Sequence, residues 1–231
     1  MTTTLITGAN KGLGYEAARR LLADGHDVWV AARDPQRGQH AAEQLGARFI
    51  ELDVTDDASV AAAAGTVEAE TGLDVLINNA GISGGLALKV AELTAADVQR
   101  VYDTNVLGPL RVSQAFIPIL ARSSAPVIVN VSSGLGSHAV TSEPNRVEHR
   151  IISLAYCSSK AALNMLTAQY AKAYPQIRIN AVDPGYTATD LNNHGGPQTV
   201  QEGTDAIVAM AKIAPDGPTG SFSDRHGPVP W

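Results

Sequence analysis

The sequence predicts a doubly wound α/β fold: a mostly parallel sheet of about seven strands, flanked by helices on both faces to give three layers. Three observations lead there. Short apolar runs alternate along the chain with longer, Ala-rich stretches of helical period, the pattern of strand–helix units joined by right-handed crossovers. Runs such as Asp74-Val-Leu-Ile-Asn78 are apolar without alternation, as strands covered on both faces are. A glycine-rich loop also separates the first apolar run from the first helical stretch.

Each element has a local reason. Thr3–Thr7 is the first strand, and Gly12–Ala23 the first helix, closed by Gly25. Val28–Ala32 is the second strand. Asp34 caps the next helix, with Pro35 at its first position, where the missing N–H costs nothing. That helix runs to Leu45 and stops at Gly46. Arg48–Leu52 is the third strand, Asp56–Thr71 an Ala-rich helix ended by Gly72, and Asp74–Asn78 the fourth strand. Thr94 caps a further helix, and another spans about Val106–Arg122. Pro126–Val131, the helix Leu154–Tyr174, the strand Arg178–Val182 and the helix Thr199–Lys212 follow, with a short strand expected near Phe222 in the Pro/Gly-rich tail.

Composition narrows the function classes. The chain has 231 residues, 45% of them hydrophobic, enough to bury one sizeable core. No linker or repeat divides it, so residues 1–231 read as a single domain. The net charge of −6 argues against nucleic acid or an anionic membrane surface as partner. The single cysteine, Cys157, cannot form an intrachain disulfide. With no leader-like or membrane-spanning apolar run, the expected compartment is the cytoplasm. The six histidines show no metal-ligand spacing, and no metal is expected.

The loop Thr7-Gly8-Ala9-Asn10-Lys11-Gly12-Leu13-Gly14 lies where a dinucleotide's phosphates meet a helix N-terminus. Gly8 permits the tight turn, Gly12 close backbone approach to a pyrophosphate, and Gly14 close packing of helix on sheet. Three turn glycines would be the plain reading of the loop alone; its place at the first strand–helix junction favours a Rossmann-type NAD(P) site.

Four further pieces stand in order: Asn78-Asn79-Ala80-Gly81, Asn105, Val131-Ser132-Ser133-x-x-Gly136, and Tyr156-x-x-x-Lys160, with Pro184-Gly185 after the sixth strand. The ordered set resembles the short-chain dehydrogenase/reductase family over essentially the whole chain, and the glycine loop is most similar to that of its carbonyl-reductase branch. The resemblance implies a cofactor site of Gly8, Asn10, Lys11, Gly12, Leu13 and Gly14, with Asp53 and Val54 at the adenine and Asn79, Ala80 and Gly81 along the ribose. It adds Tyr156, Lys160, Pro184 and Gly185, and has Thr187 and Thr189 touch the cofactor's amide or phosphates.

The second strand ends Ala32-Arg33, where the family's NAD enzymes carry an acid at the alanine's place. Arg33 can fork onto a 2′-phosphate, and Lys11 can add charge from the loop. NADP(H) is therefore preferred over NAD(H). Asp34 reads as the helix cap instead.

Reducing a carbonyl needs hydride on carbon and a proton on oxygen. Tyr156 and Lys160 are four apart and share a helix face. An ammonium beside a phenol would lower its pKa and ease proton exchange. Tyr156 is thus the expected general acid, Lys160 its partner, and Ser133, counted back from Gly136 and chosen over Ser132, the donor to the substrate oxygen. The resemblance gives Asn105, at the start of its helix, a water that links Lys160 to solvent. Cys157 reads as a packing residue.

The 23 positions from Ser133 to Tyr156 exceed the family's usual gap. The extra stretch, about 141–152, resembles a shortened form of the insertion in monomeric carbonyl reductases, so a monomer or homodimer is expected before a tetramer. Residues 186–198 are the expected substrate lid, hinged at Gly195-Gly196, and Gly84-Gly85 border the pocket. The expected activity is NADPH-dependent reduction of an aldehyde, ketone or quinone. The alternatives are an NAD(P)-linked alcohol dehydrogenase and a non-catalytic NADP(H) sensor.

Overall fold

In the computed structural model, residues 1–85 and 90–231 are described. One sheet of eight strands runs in the order β3-β2-β1-β4-β5-β6-β7-β8. The strands are β1 (Thr3–Thr7), β2 (Asp27–Ala32), β3 (Arg48–Glu51), β4 (Val75–Asn78), β5 (Val127–Val131), β6 (Arg178–Val182), β7 (Phe222–Asp224) and β8 (Gly227–Pro228). All neighbours pair parallel except β7 with β8. The sheet thus exceeds the expected seven strands by the two-residue β8, which turns back on β7 through a tail too short to show a strand pattern.

The helices are α1 (Gly12–Ala23), α2 (Pro35–Leu45), α3 (Asp57–Glu70), α4 (Ala95–Tyr102), α5 (Gly108–Leu120), α6 (His138–Ser142), α7 (Leu154–Ala173), α8 (Val200–Gly203) and α9 (Asp205–Ala211). They cover the two faces separately. Leu5 of β1 joins a core with α3, α5 and α7, containing Val67, Phe116 and Ala171. Its neighbour Ile6 joins the other, with Leu21 of α1, Ala41 of α2 and Ile207 of α9. Successive strand residues point to opposite faces, so adjacent apolar residues serve two cores. That is why these strands read as unbroken apolar runs.

Caps set the helix starts. Asp34 accepts the Arg37 N–H at 3.0 Å, Asp56 those of Ala58 and Ser59, and Thr94 closes a capping box with Asp97. Two details differ from the sequence reading. Asn105 does not start a helix: α4 and α5 are joined by a π-helical turn, Asp103–Leu107, that contains it. Pro109 has no N–H to give the Asn105 carbonyl, so the α-ladder loosens there. The expected helix Thr199–Lys212 is broken at Thr204, whose N–H is shared between the Val200 and Gln201 carbonyls at 3.1 and 3.2 Å.

Strand order reverses between β1 and β4. Their carboxyl ends therefore open onto a crevice between diverging crossovers, the place where ligands bind in open α/β sheets.

Candidate active site

A cavity of about 970 Å³ fills this crevice. Its floor is the glycine loop. Gly8 and Gly12 have φ of +64° and +57°, conformations that side chains rarely adopt. Gly14 has ordinary φ, but a Cβ there would lie 2.5 Å from Asn79 Nδ2 and 2.9 Å from the Ala9 Cα. Lys11, at the N-cap of α1, makes no side-chain cap, so no side-chain acceptor from that position competes for the first N–H groups of the helix. Asn79 fixes the loop from β4: its Nδ2 donates to the Thr7 carbonyl at 2.9 Å and to that of Gly8 at 3.2 Å.

Arg33, Asp53, Val54, Asn79, Ala80 and Gly81 line one wall. Arg33 is exposed and has no ion-pair partner among the described residues. Asp53 accepts from the Thr55 N–H and hydroxyl at 2.9 and 2.7 Å, a tight turn that holds it at the rim. Lys11 lines the cavity too, but its ammonium bonds Asp190 Oδ2 at 2.6 Å, and His194 holds the other oxygen at 2.9 Å. This pairing carries residues 186–198 onto the glycine loop. Asp190 lies far away in sequence, and nothing in the sequence reading singled it out.

Ser133, Tyr156 and Lys160 line the same cavity, with Lys160 Nζ 3.6 Å from where a Cβ on Gly81 would sit. A buried polar ladder seats α7 on the sheet: Asn78 Nδ2 donates to Asn130 Oδ1, and Asn130 Nδ2 to Thr167 Oγ1, each at 2.8 Å. Gly136 brings the β5 loop against α7, since a Cβ there would lie 2.6 Å from the Lys160 carbonyl carbon. The paired serines then separate. Ser132 is buried and donates to Asn164 Oδ1. Ser133 faces the cavity, with its hydroxyl near enough to the Tyr156 phenol to favour its ionised form.

Lys160 is buried; its Nζ donates to the Val131 carbonyl at 2.8 Å and lies 5.7 Å from the Tyr156 ring centre. Burial pulls its pKa down to about 8. Burial also raises the Tyr156 phenol well above the ordinary tyrosine range, against the opposing pull of the Ser133 hydroxyl. The expected acidification by Lys160 is therefore not what these side chains produce. The ammonium turns to a carbonyl, and desolvation of the phenolate dominates.

The family model for short chain dehydrogenase matches residues 2–199. The chain belongs to the short-chain dehydrogenase/reductase family. Its oxidoreductase and nucleotide-binding character follow from that membership and from the Rossmann-type sheet. The (−)-isopiperitenone reductase of Mentha piperita is 34% identical, over 96% of this chain and 95% of that protein. An NADPH-bound carbonyl reductase from chicken fatty liver superposes with a TM-score of 0.87 at 33% identity, over 100% of this chain and 99% of that one. Salutaridine reductase from Papaver somniferum gives 0.84 at 27%, over 97% and 99%.

Several residues of the family pattern sit differently from the sequence reading. Asn105 is fully buried and lies outside the cavity lining. Its Oδ1 accepts the Ile82 N–H at 2.9 Å, and its Nδ2 donates to the Ile82 carbonyl and Ser159 Oγ at 2.9 and 3.0 Å. It ties the Asn-Ala-Gly loop to α7, a positioning role. Thr187 and Thr189 line the cavity with Pro184 and Gly185, and the Thr187 hydroxyl donates to the Pro184 carbonyl at 3.0 Å. The left-handed residues of the lid are Asn193 and His194. Gly196 is wedged against Tyr186 and Thr187 backbone, a packing position rather than the hinge expected of it. Gly84 and Gly85 do border the cavity, as do Val147, Glu148, Ile151 and Ile152 of the extra stretch. Cys157 is half-buried, with its thiol pKa raised by burial, and is suited to packing.

Asp183 is one of the cavity residues that the sequence reading missed. It stands directly before Pro184-Gly185 at a strand's carboxyl end, and that position was the available signal. Among the described residues no helix is long and apolar enough to cross a membrane, and no cluster of three or more His, Cys, Asp or Glu is arranged to hold a metal.

Proposed function

We propose that the protein is an NADPH-dependent carbonyl reductase, reducing an aldehyde, ketone or quinone to the alcohol with Tyr156 as general acid. One observation carries the reading: a buried phenol beside Ser133 shares a cavity with Lys160, a phosphate-type glycine loop and an arginine with no ion-pair partner among the described residues. The groups present fit the cofactor. The glycine-loop backbone and the start of α1 suit a pyrophosphate, Arg33 a 2′-phosphate, Asp53 and Val54 the adenine side, and Asn79, Ala80 and Gly81 a ribose. When bound, the dihydronicotinamide supplies hydride.

The protein's part is to bind, orient and protonate. Ser133 Oγ and the Tyr156 phenol are paired donors for a carbonyl oxygen, and their hydrogen bonds strengthen as negative charge grows there. Tyr156 then gives up its proton from the phenolic oxygen. Lys160 is held behind it by the Val131 carbonyl, able to reach a ribose hydroxyl and to offset charge left on Tyr156. Alcohol oxidation needs Tyr156 as a base, hence as a phenolate, which burial opposes. Reduction uses the protonated form that burial maintains. The reductase names of several relatives point the same way. The extra residues before α7 favour a monomer or dimer.

The test is direct. The protein is incubated with NADPH and a panel of aldehydes, ketones and quinones, and loss of the reduced cofactor's absorbance is followed. Turnover of at least one class, faster with NADPH than NADH, is expected. Tight NADPH binding without turnover of any would make it a sensor.

A further inference from the structure

The substrate side of the cavity holds a carboxylate that the reaction described above does not use. Asp183 follows β6 and is 6% exposed, yet it lines the cavity beside Tyr156 and Ser133. Its charge is near enough to oppose ionisation of Tyr156. The carboxylate accepts the Gly185 N–H at 2.9 Å and also that of Gly134. These two donors leave about half of a carboxylate's roughly four acceptor positions open.

Glu148 reaches the same wall. Asp183 Oδ2 and Glu148 Oε1 lie 2.8 and 3.4 Å from where a Cβ on Gly134 would sit, so the glycine is what admits both. The two acids differ in one respect. Glu148 is matched by Arg146, with Nε 3.3 Å from Oε2. Asp183 has no ion-pair partner among the described residues. Arg146 acts on Asp183 from a distance without an ion pair, while burial and the neighbouring Glu148 and Asp224 make the carboxylate costly to ionise, and a cation on a bound molecule would offset that cost where a neutral group would not.

The cavity mouth has the opposite character. Val147, Ile152, Tyr186 and Leu191 are 38–75% exposed, and all four line it. Exposed large apolar side chains along the lining of one cavity suit an apolar ligand body. Resting on the carbonyl-reductase reading of this site, we propose that the substrate is a lipophilic carbonyl compound with a basic nitrogen, its ammonium against Asp183 and its apolar body against the rim. Asp183 is then the residue that sets specificity.

Matched ketones test this: an aryl ketone bearing an isopropyl-terminated chain, its dimethylamino isostere, and a hydroxyl analogue. With NADPH, kcat/KM should favour the amine over the isopropyl compound by at least about tenfold. Asp183→Asn should bring that ratio to near one, with Asp183→Ser as a second variant should the first not fold. A wild-type ratio of one, a hydroxyl analogue preferred to the amine, or a ratio unchanged in a folded Asp183 variant would overturn the proposal. If no ketone is turned over, the reductase reading fails. The Kd of the amine and of its isostere for the protein–NADPH complex, measured by calorimetry, still tests Asp183: a ratio of about ten supports it and equal affinities refute it.

Discussion

At the glycine-loop end of the cavity the ligand-facing groups are mostly backbone; at the Tyr186 end they are side chains. The first end is built from Gly8, Gly12 and Gly14, whose φ values or close neighbours exclude other residues, and Arg33 is its one unpaired cation among the described residues. The second comes from residues 141–152 and 186–198, with exposed apolar side chains over a buried Asp183. Backbone geometry at a sheet switch point recognises what every dinucleotide shares. Side chains on loops between rigid elements recognise what differs between substrates. Tyr156, Ser133 and Lys160 stand between the two ends.

The comparison can be broken at several points. Tyr156→Phe removes the acid from the middle, and turnover should fall by at least about a thousandfold while NADPH affinity holds; near-normal turnover would put the acid elsewhere. Gly14→Ala should damage only the cofactor end. The new Cβ meets Ala9 and Asn79, so α1 must shift, at a stability cost of about 1–3 kcal/mol in denaturant melts and with weakened NADPH binding. Unchanged affinity would show that the close packing is not needed. Arg33→Ala should raise the KM for NADPH about tenfold and leave that for NADH nearly unchanged. Equal effects on both cofactors would remove Arg33 from phosphate recognition.

Lys160 gives a subtler effect. Its folded pKa, about 8, lies below the ordinary lysine value of 10.5, so between those values the unfolded chain binds more protons. Stability must then rise with pH across that window, and below about 8 the full penalty of burying the ammonium remains. Between pH 8 and 10 the increment should be about 2–3 kcal/mol and be absent in Lys160→Met. Parallel pH dependence in the two proteins would show that Lys160 is not desolvated as the structure implies.

Much of the cofactor end was legible in the sequence because its requirements are local. A glycine at a strand–helix junction, Asp34 before Pro35 and Tyr156 four before Lys160 announce their geometry in the residue order. What could not be read depends on groups distant in sequence. The Lys11–Asp190 pair joins two loops. The π turn around Asn105 depends on how α4 and α5 pack, although Pro109 marks the spot. The seating of α7 on Asn130 and Thr167 needs the strand register. The direction of the Tyr156 shift was misjudged for the same reason: a spacing of four shows that a lysine is near, but not how much water is excluded or that its ammonium turns to Val131.

That direction bears on the proposed chemistry, since a desolvated phenol stays in the protonated form that gives a proton to a carbonyl. The most direct test is a ¹³C NMR titration of protein labelled at the tyrosine ring carbon bearing oxygen, with Tyr156→Phe used to assign the signal. The Tyr156 resonance should show no ionisation up to about pH 10, the ordinary tyrosine value. Ionisation below about pH 9 would contradict the account, because it would show the phenol acidified by its neighbours rather than desolvated.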